Sequence, residues 1–205
     1  MKSFQNEIEI MYKGSFLYTN RLLNKWSSPT NDHKIKSELV HEFRLKFQPK
    51  ILVETGTYLG EMVYDQMMNF EQVHSIELSE YYYRIAKKRF KNYQNVFLYF
   101  GDSSELLEKV ISKITSPALF WLDGHYSEGK TAKGNRTTPL WTEIKVILSN
   151  PIKHIILIDD ARLILDKSNL DYPDVEYIEE IISNSDHKMN LEIRSDIVCI
   201  YPYNL

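Results

Sequence analysis

The chain of 205 residues has a single cysteine, Cys199, which excludes an intrachain disulfide and fits a reducing compartment. It also lacks an apolar run of the roughly 20 residues that a membrane-spanning helix needs. The first residues, MKSFQNEIEIMYKGSF, are interrupted by acids and do not form the apolar segment of a signal peptide. These absences predict a soluble, cytoplasmic protein without a membrane partner.

A strong charge imbalance is missing as well. The formal net charge is −3, which leaves no general surface for binding polyanions. The basic residues form no continuous stripe, and no tetrapeptide of the NPPY type follows the fourth predicted strand. We therefore expect no nucleic-acid partner, and an enzyme that modifies nucleic acids is a less favoured interpretation.

From Lys50 onward the chain alternates short apolar runs with amphipathic segments. The strand candidates are ILVE, VHSIE, NVFLYF, ALFWLD and HIILID, each followed by helical spacing. The stretch MNLEIRSDIVCIYP predicts two short antiparallel strands joined at Ser195 and Asp196. The pattern predicts an α/β fold: a Rossmann-like, doubly wound, mostly parallel seven-stranded sheet with an antiparallel C-terminal strand.

The N-terminal part, residues 1–48, contains no strand-like run. Its segment SELVHEFRLKF has apolar residues at helical spacing. We interpret residues 1–48 as a helical extension and residues 49–205 as the Rossmann-like domain. The extension is expected either to cover the active region or to contact a second copy in a homodimer, and the sequence leaves both alternatives open.

Carboxylates follow the predicted strands in series: Glu54, Glu77, Asp102, Asp123, Asp159 and Asp160. In a parallel sheet the carboxyl ends of the strands meet at one edge, where ligands bind. A single acid at such a place is more often a helix cap or a turn residue. Five successive strands that end this way favour a shared site.

The first predicted turn, VETGTYLGE, contains Gly56 and Gly60. Glycine lets the backbone approach a ligand closely, although a purely structural role is equally common. The G-x-x-x-G spacing differs from the dinucleotide fingerprint, and a Walker lysine is missing. Glu77 is placed to accept both hydroxyls of a ribose, and Asp102 to accept from an adenine amino group. These features describe a site for adenosine with a polar, zwitterionic extension.

The segments VETGTYLG, SIELS, FGDSSELL and FWLDGH resemble the successive motifs of class I S-adenosyl-L-methionine (SAM)-dependent methyltransferases. The resemblance runs from about Ile51 to the C-terminus and implies SAM as the cofactor. It implies cofactor contacts at Glu54, Thr55, Gly56, Thr57, Gly60, Glu77, Leu78, Asp102, Ser103 and Asp123.

Three aspartates, Asp123, Asp159 and Asp160, follow the fourth and fifth predicted strands. Gathered together they would repel one another unless a cation lay among them. The pattern is similar to the metal-dependent O-methyltransferases of the macrocin and novobiocin type and to catechol O-methyltransferase. That resemblance implies all three as metal ligands, with Mg²⁺ as the expected ion. The alternatives are that Asp123 contacts the cofactor or caps a turn, and that Asp160 caps the segment ARLIL.

His125 lies two residues after Asp123 and is a candidate general base, or a residue that orients Asp123 or merely packs. We therefore predict Asp123, His125 and Asp159 as the catalytic residues. The following basic loop is either solvated or closes over an anionic or sugar-like acceptor.

The preferred function is metal-assisted methyl transfer from SAM to a hydroxyl oxygen of a small, sugar-like acceptor. The alternatives are an NAD-dependent Rossmann oxidoreductase and a non-catalytic SAM-binding protein.

Overall fold

The computed structural model describes residues 31–124, 138–185 and 187–203. Its strands are β1 (Ile51–Thr55), β2 (Gln72–Glu77), β3 (Val96–Phe100), β4 (Ala118–Leu122), β5 (Ile155–Ile158), β6 (Met189–Arg194) and β7 (Ile197–Pro202). The helices among these residues are α1 (Asn31–Phe47), α2 (Glu61–Gln66), α3 (Glu80–Arg89), α4 (Ser103–Ile111), α5 (Leu140–Leu148), α6 (Ala161–Leu165) and α7 (Val175–Asn184).

The strands form one sheet in the order β3-β2-β1-β4-β5-β7-β6. β1 to β5 pair in parallel, and β7 lies antiparallel between β5 and β6. The chain reverses between β6 and β7 at Ser195 and Asp196, which both adopt left-handed backbone angles, with φ of 50° and 64°. Two successive left-handed residues match the twist of a tight hairpin. The predicted doubly wound sheet with an antiparallel C-terminal strand is confirmed.

Apolar side chains cover both faces of the sheet, as its near-continuous apolar strands require. On one face Trp121 of β4 packs in a cluster with Val40 and Phe43 of α1. On the other face Phe120, the preceding residue of β4, packs in a cluster with Leu107 of α4 and Ile144 of α5. Residues 33–205 form one compact unit, so most of α1 belongs to the same unit as the sheet.

The starts of two helices have local causes. α2 begins at Glu61, because Gly60 takes a left-handed conformation (φ 74°) immediately before it. α4 is capped by Asp102, whose side chain accepts a hydrogen bond from the Ser104 N–H. A carboxylate suits this place because it meets the unpaired N–H groups and the positive end of the helix dipole.

Within the part of the chain that the structure describes, the helices are too short or too polar to cross a membrane.

Candidate functional site

The ends of the five parallel strands lie side by side at one edge of the sheet. Backbone hydrogen bonds continue the ladder just past the strands, from Gly56 N–H to Ile76 O (2.9 Å), Gly101 N–H to Glu77 O (2.9 Å), Asp123 N–H to Thr55 O (3.1 Å) and Asp159 N–H to Leu122 O (3.0 Å). These bonds bring the residues that follow neighbouring strands to a common crevice, where ligands of parallel sheets bind.

Glu54 lies inside β1 rather than past its end, which corrects its expected position. Its buried carboxyl accepts a hydrogen bond from the Ser75 hydroxyl of β2, and Thr57 Oγ1 lies 2.5 Å from the same Ser75 oxygen. Burial raises the pKa of Glu54 to about 8, against the opposing effect of the Ser75 hydrogen bond. Glu54 is therefore largely protonated at neutral pH, and it acts within the sheet as an uncharged hydrogen-bonding group.

Gly56 joins the turn after β1 to the end of β4. Its φ of 86° is left-handed, and a Cβ atom there would lie 2.5 Å from the Asp123 carbonyl oxygen. Only glycine fits so close to a neighbouring backbone in this conformation. Gly60, the second glycine of the turn, is packed in the same way, with the Phe90 ring 2.5 Å from where a Cβ would lie. The backbone and packing at both positions thus require glycine even without a ligand.

Glu77 ends β2 with its carboxylate in the crevice. One carboxylate oxygen accepts a hydrogen bond from the Tyr58 N–H and the other from the Ser79 N–H, both at 2.7 Å. Leu78, the residue after Glu77, is half-buried. Burial raises the pKa of Glu77, while the backbone N–H groups around it favour the ionised form. Each carboxylate oxygen keeps acceptor capacity beyond one N–H bond, so Glu77 is able to receive hydroxyl groups of a ligand.

Asp102, which follows β3, has an oxygen, Oδ1, that accepts from Ser104 N–H at 2.8 Å and from Ser104 Oγ at 2.7 Å. Ser103 is buried at the first position of α4. The Asp102 carboxylate therefore has a definite structural role as a helix cap, and its other oxygen provides further acceptor capacity at the same edge.

A small cavity that is open to solvent lies at the ends of β4 and β5. Its polar lining comes from Asp123, Thr138, Glu143, Asp159 and Tyr172. Two of the predicted catalytic residues, Asp123 and Asp159, therefore face one cavity. His125, the third, lies outside the described residues, as does the basic loop that follows it.

Asp159 has a cationic partner that the sequence did not suggest. Lys36 of α1 donates a hydrogen bond from Nζ to Asp159 Oδ2 at 2.6 Å, with the two side chains 16% and 1% exposed. Burial and the neighbouring Asp123 carboxylate raise the pKa of Asp159, while Lys36 acts in the opposite direction. An ion pair this deeply buried is costly to break by removing one partner.

Asp160 takes a different place from Asp159. It adopts a left-handed conformation (φ 58°, ψ 47°) at the start of α6. Its Oδ1 lies 2.8 Å from Arg162 Nη2, and Arg162 also pairs with Asp196 in the β6–β7 turn. Asp160 thus belongs to an ion-pair group that connects α6 to the hairpin.

The prediction that Asp123, Asp159 and Asp160 form a metal site is not supported. Within residues 31–124, 138–185 and 187–203, no group of three His, Cys, Asp or Glu side chains is arranged to hold a metal ion. The physical reason is that Lys36 and Arg162 already supply positive charge to two of the carboxylates. Side chains of the protein itself thus offset part of the repulsion that pointed to a metal ion.

Glu143 of α5 is a cavity residue that sequence reasoning missed. It is 1% exposed, and its Oε1 has no hydrogen-bond partner among the described residues. Burial raises the pKa of Glu143 to about 7, and the nearby hydroxyls of Ser103 and Thr55 oppose this shift without bonding Oε1.

The spacing of α5 carried a signal for Glu143. Leu140, Ile144 and Ile147 are buried at the i, i+4 and i+7 positions of one helix face, and Glu143 is the i+3 member of that face. Lys36 of α1 is likewise a charged residue on a buried helix face, since it lies one turn before the buried Val40. A charged residue on an apolar stripe indicates a buried functional or paired group.

Neither a protein-family model nor a curated protein matches this chain. Solved structures do. The O-methyltransferase TomG of tomaymycin synthesis from Streptomyces achromogenes, in complex with SAM, has 15% identity and a TM-score of 0.57, covering 83% of this chain and 80% of TomG. An O-methyltransferase from Bacillus cereus in complex with SAH has 16% identity and a TM-score of 0.55, covering 92% and 89%. The SAH-bound methyltransferase PaMTH1 from Podospora anserina has 15% identity and a TM-score of 0.56, covering 88% and 81%.

At this identity the likeness establishes the fold. The chain has the Rossmann-like fold of these methyltransferases, which is the fold that the motif resemblance implied.

Proposed function

We propose that the chain is a SAM-dependent methyltransferase that acts on a hydroxyl oxygen of a small acceptor. The observation that carries the proposal is Glu77, whose carboxylate stands at the end of β2 between two backbone N–H donors, beside the glycine turn of β1. Its support from outside the chain is the fold shared with O-methyltransferases that were solved with SAM or SAH bound.

The proposed SAM site lies along the ends of β1, β2 and β3. Gly56 and Gly60 bring the β1 turn close to the methionine part, with Thr55 and Thr57 in the same segment. Glu77 accepts the ribose hydroxyls, since a carboxylate takes two hydroxyl donors at once. Asp102 accepts from the adenine amino group, flanked by Ser103, and Leu78 provides an apolar contact.

The cavity at the ends of β4 and β5 is the proposed acceptor pocket, and we propose Asp123 and Asp159 as its catalytic residues. Bound SAM supplies an electrophilic methyl group; the acceptor oxygen takes it as the bond to sulfur breaks, which leaves SAH and a methyl ether. The two carboxylates orient the acceptor hydroxyl and receive its proton. A role for His125 as general base stays a prediction.

A small, sugar-like hydroxylated acceptor is the proposed substrate class. It rests on the resemblance to the macrocin-type enzymes and on the carboxylate and hydroxyl groups that line the cavity. The described residues do not offer a divalent metal three ligands, and the roles proposed for Asp123 and Asp159 do not involve one. Homodimer formation stays a prediction.

The test is ligand binding by isothermal titration calorimetry, with SAH and NAD⁺ as separate ligands. SAH should bind and raise the melting temperature by mass action, whereas NAD⁺ should do neither. Glu77→Gln should weaken SAH binding at least about tenfold, because a hydrogen bond from a ribose hydroxyl to a carboxylate contributes roughly 1.5–3 kcal/mol.

The matched control is Glu80→Gln, an acid three residues away in an exposed pair with Arg84, which should leave SAH binding unchanged. Tritium transfer from methyl-labelled SAM to a panel of sugars and phenols then tests the reaction. Binding of NAD⁺ in preference to SAH, or no binding of SAH at millimolar concentration, would contradict the proposal.

A further inference from the structure

The Lys36–Asp159 pair connects two parts of the chain that are 123 residues apart in sequence. The lysine comes from α1, before the first strand, and the aspartate follows β5 and lines the cavity. Most lysine ammonium groups stay in water, because removing a charge from water costs several kcal/mol even after the protein relaxes. A lysine that is 16% exposed beside a cavity carboxylate therefore requires a reason.

The helix that carries Lys36 is held firmly against the domain. Glu42 of α1 forms a two-pronged ion pair with Arg194 of β6, with both N–O distances 2.7 Å. Gln66 donates from Nε2 to both the carbonyl and the hydroxyl of Ser37, each at 2.9 Å. Both contacts are made by residues that follow Lys36 in α1, and they hold this part of the helix against the domain.

The charges around the cavity explain why a lysine lies beside Asp159. Asp123 and Asp159 face the same cavity, and the Asp123 carboxylate raises the pKa of Asp159. A nearby cation offsets such repulsion, and the Lys36 ammonium lies 2.6 Å from Asp159 Oδ2. A Mg²⁺ ion bound to that oxygen at roughly 2.1 Å would have to displace the ammonium, since two cations so close repel each other strongly.

We propose that Lys36 is the resident cation of the acceptor pocket and takes the place that a divalent metal would occupy at Asp123 and Asp159. The description of this cavity as an acceptor pocket rests on the proposed function. The role of Lys36 beside Asp159 does not depend on it. Lys36 keeps the cavity carboxylates close together, and the pocket has no need for a metal ion. Lys36 is thus a positioning residue that acts through Asp159.

The experiment measures Mn²⁺ binding by electron paramagnetic resonance. The signal of free Mn²⁺ decreases as the ion binds to the protein. The full-length wild-type chain should bind no Mn²⁺ at the cavity up to millimolar concentration. Lys36→Met leaves the carboxylates without their ammonium, so this variant should melt at a lower temperature and should bind Mn²⁺ at least about tenfold more tightly than wild type. Added Mn²⁺ should restore part of the lost melting temperature.

Two further variants assign the effect to this place. Lys34→Met removes a neighbouring lysine of α1 that pairs with Glu38, and it should behave like wild type. Lys36→Met combined with Asp159→Asn should lose the gained Mn²⁺ binding. If Lys36→Met does not fold, Lys36→Gln, which keeps a polar side chain of similar length, replaces it in every measurement.

The inference is overturned if wild type binds Mn²⁺ tightly and Asp159→Asn abolishes that binding, because a metal then coexists with Lys36. It is equally overturned if the lysine variant gains no Mn²⁺ affinity. SAH titrated into the same samples keeps the two proposals separate. Intact SAH binding with a failed Mn²⁺ result removes only the role of Lys36, whereas failed SAH binding removes the methyltransferase proposal and leaves the cation measurement valid.

Discussion

The carboxyl groups on the two sides of the crevice have different kinds of partner. On the β1–β3 side, defined by Glu54, Glu77 and Asp102, the carboxyl groups receive hydrogen bonds from serine hydroxyls and backbone N–H groups. On the β4–β5 side, defined by Asp123, Asp159 and Asp160, lysine and arginine side chains supply positive charge to Asp159 and Asp160.

The difference separates two kinds of chemistry along one sheet edge. Neutral donors fix the orientation of a carboxylate and leave its remaining lone pairs to hydroxyl or amino groups of a ligand. Cations offset the charge of a carboxylate and also stabilise an oxygen that is losing its proton. The β1–β3 side therefore suits binding of a neutral nucleoside, and the β4–β5 side suits a step in which negative charge develops.

The two sides meet at Gly56, and the largest expected effect comes from breaking that contact. In Gly56→Ala the new Cβ would lie 2.5 Å from the Asp123 carbonyl oxygen, in a backbone conformation that alanine rarely adopts. The strain and the overlap should together lower the free energy of unfolding by about 3 kcal/mol or more. Urea-induced unfolding measures the loss.

Gly124→Ala is the matched control for this substitution. Its Cβ would meet the Thr55 side chain at 3.2 Å, and Gly124 has no left-handed φ. We expect a much smaller loss than for Gly56→Ala. Equal losses in the two variants would mean that the contact between the two sides is not tight.

Most of the fold was accessible from sequence because it follows from periodicity. The strand runs, the parallel pairing and the closing hairpin at Ser195 and Asp196 were all predicted, since alternating patterns and turn residues are local signals. The close fit of Gly60 to the Phe90 ring, which is distant in sequence, is a tertiary contact that local signals do not contain.

Glu143 is a buried acid that lies between the two sides of the crevice. Glu143 ionises near its ordinary pKa of 4.5 in the unfolded chain and at about 7 in the folded protein. The folded state therefore holds the extra proton between these values, and wild-type stability falls as the pH rises through that window. Glu143→Gln should be more stable than wild type above pH 7, by roughly 3 kcal/mol, and the gain should fade towards acid pH.

Urea unfolding over a pH series measures this difference. Glu108→Gln, an exposed acid on α4, is the control and should show no such pH-dependent gain. A constant difference between Glu143→Gln and wild type at all pH values would contradict the raised pKa of Glu143.

The smallest expected effect separates the two cationic partners of the β4–β5 side. Arg162 is 61% exposed, whereas Lys36 is 16% exposed. Arg162→Met should therefore lower stability by at most about 1 kcal/mol, and added salt should reduce the difference, because the attraction of a largely solvated guanidinium is weak and screened. Melting temperatures at low and high salt measure the effect. A larger loss than in Lys36→Met would reverse our ranking of the two pairs.

The candidate site was less accessible to sequence reasoning than the fold. The acids after the strands could be placed at one edge, because that follows from a parallel sheet. The partners of these acids could not be identified. Lys36 is marked as a charge on the apolar face of α1, but a single sequence contains no signal that it reaches Asp159 across 123 residues. Without that ammonium the repulsion among the aspartates pointed to a metal ion. The sequence indicated that these aspartates need positive charge nearby, but it did not indicate that Lys36 and Arg162 supply it to Asp159 and Asp160.

The position of β7 between β5 and β6 has a consequence for how the protein is made. While a ribosome has delivered only the first five strands, β5 is an open edge with unpaired N–H and carbonyl groups, and nascent chains with such edges tend to join one another. The edge closes only when residues 197–202 emerge and insert. A truncation before β7 would leave β5 permanently open, and we expect its product to aggregate during translation.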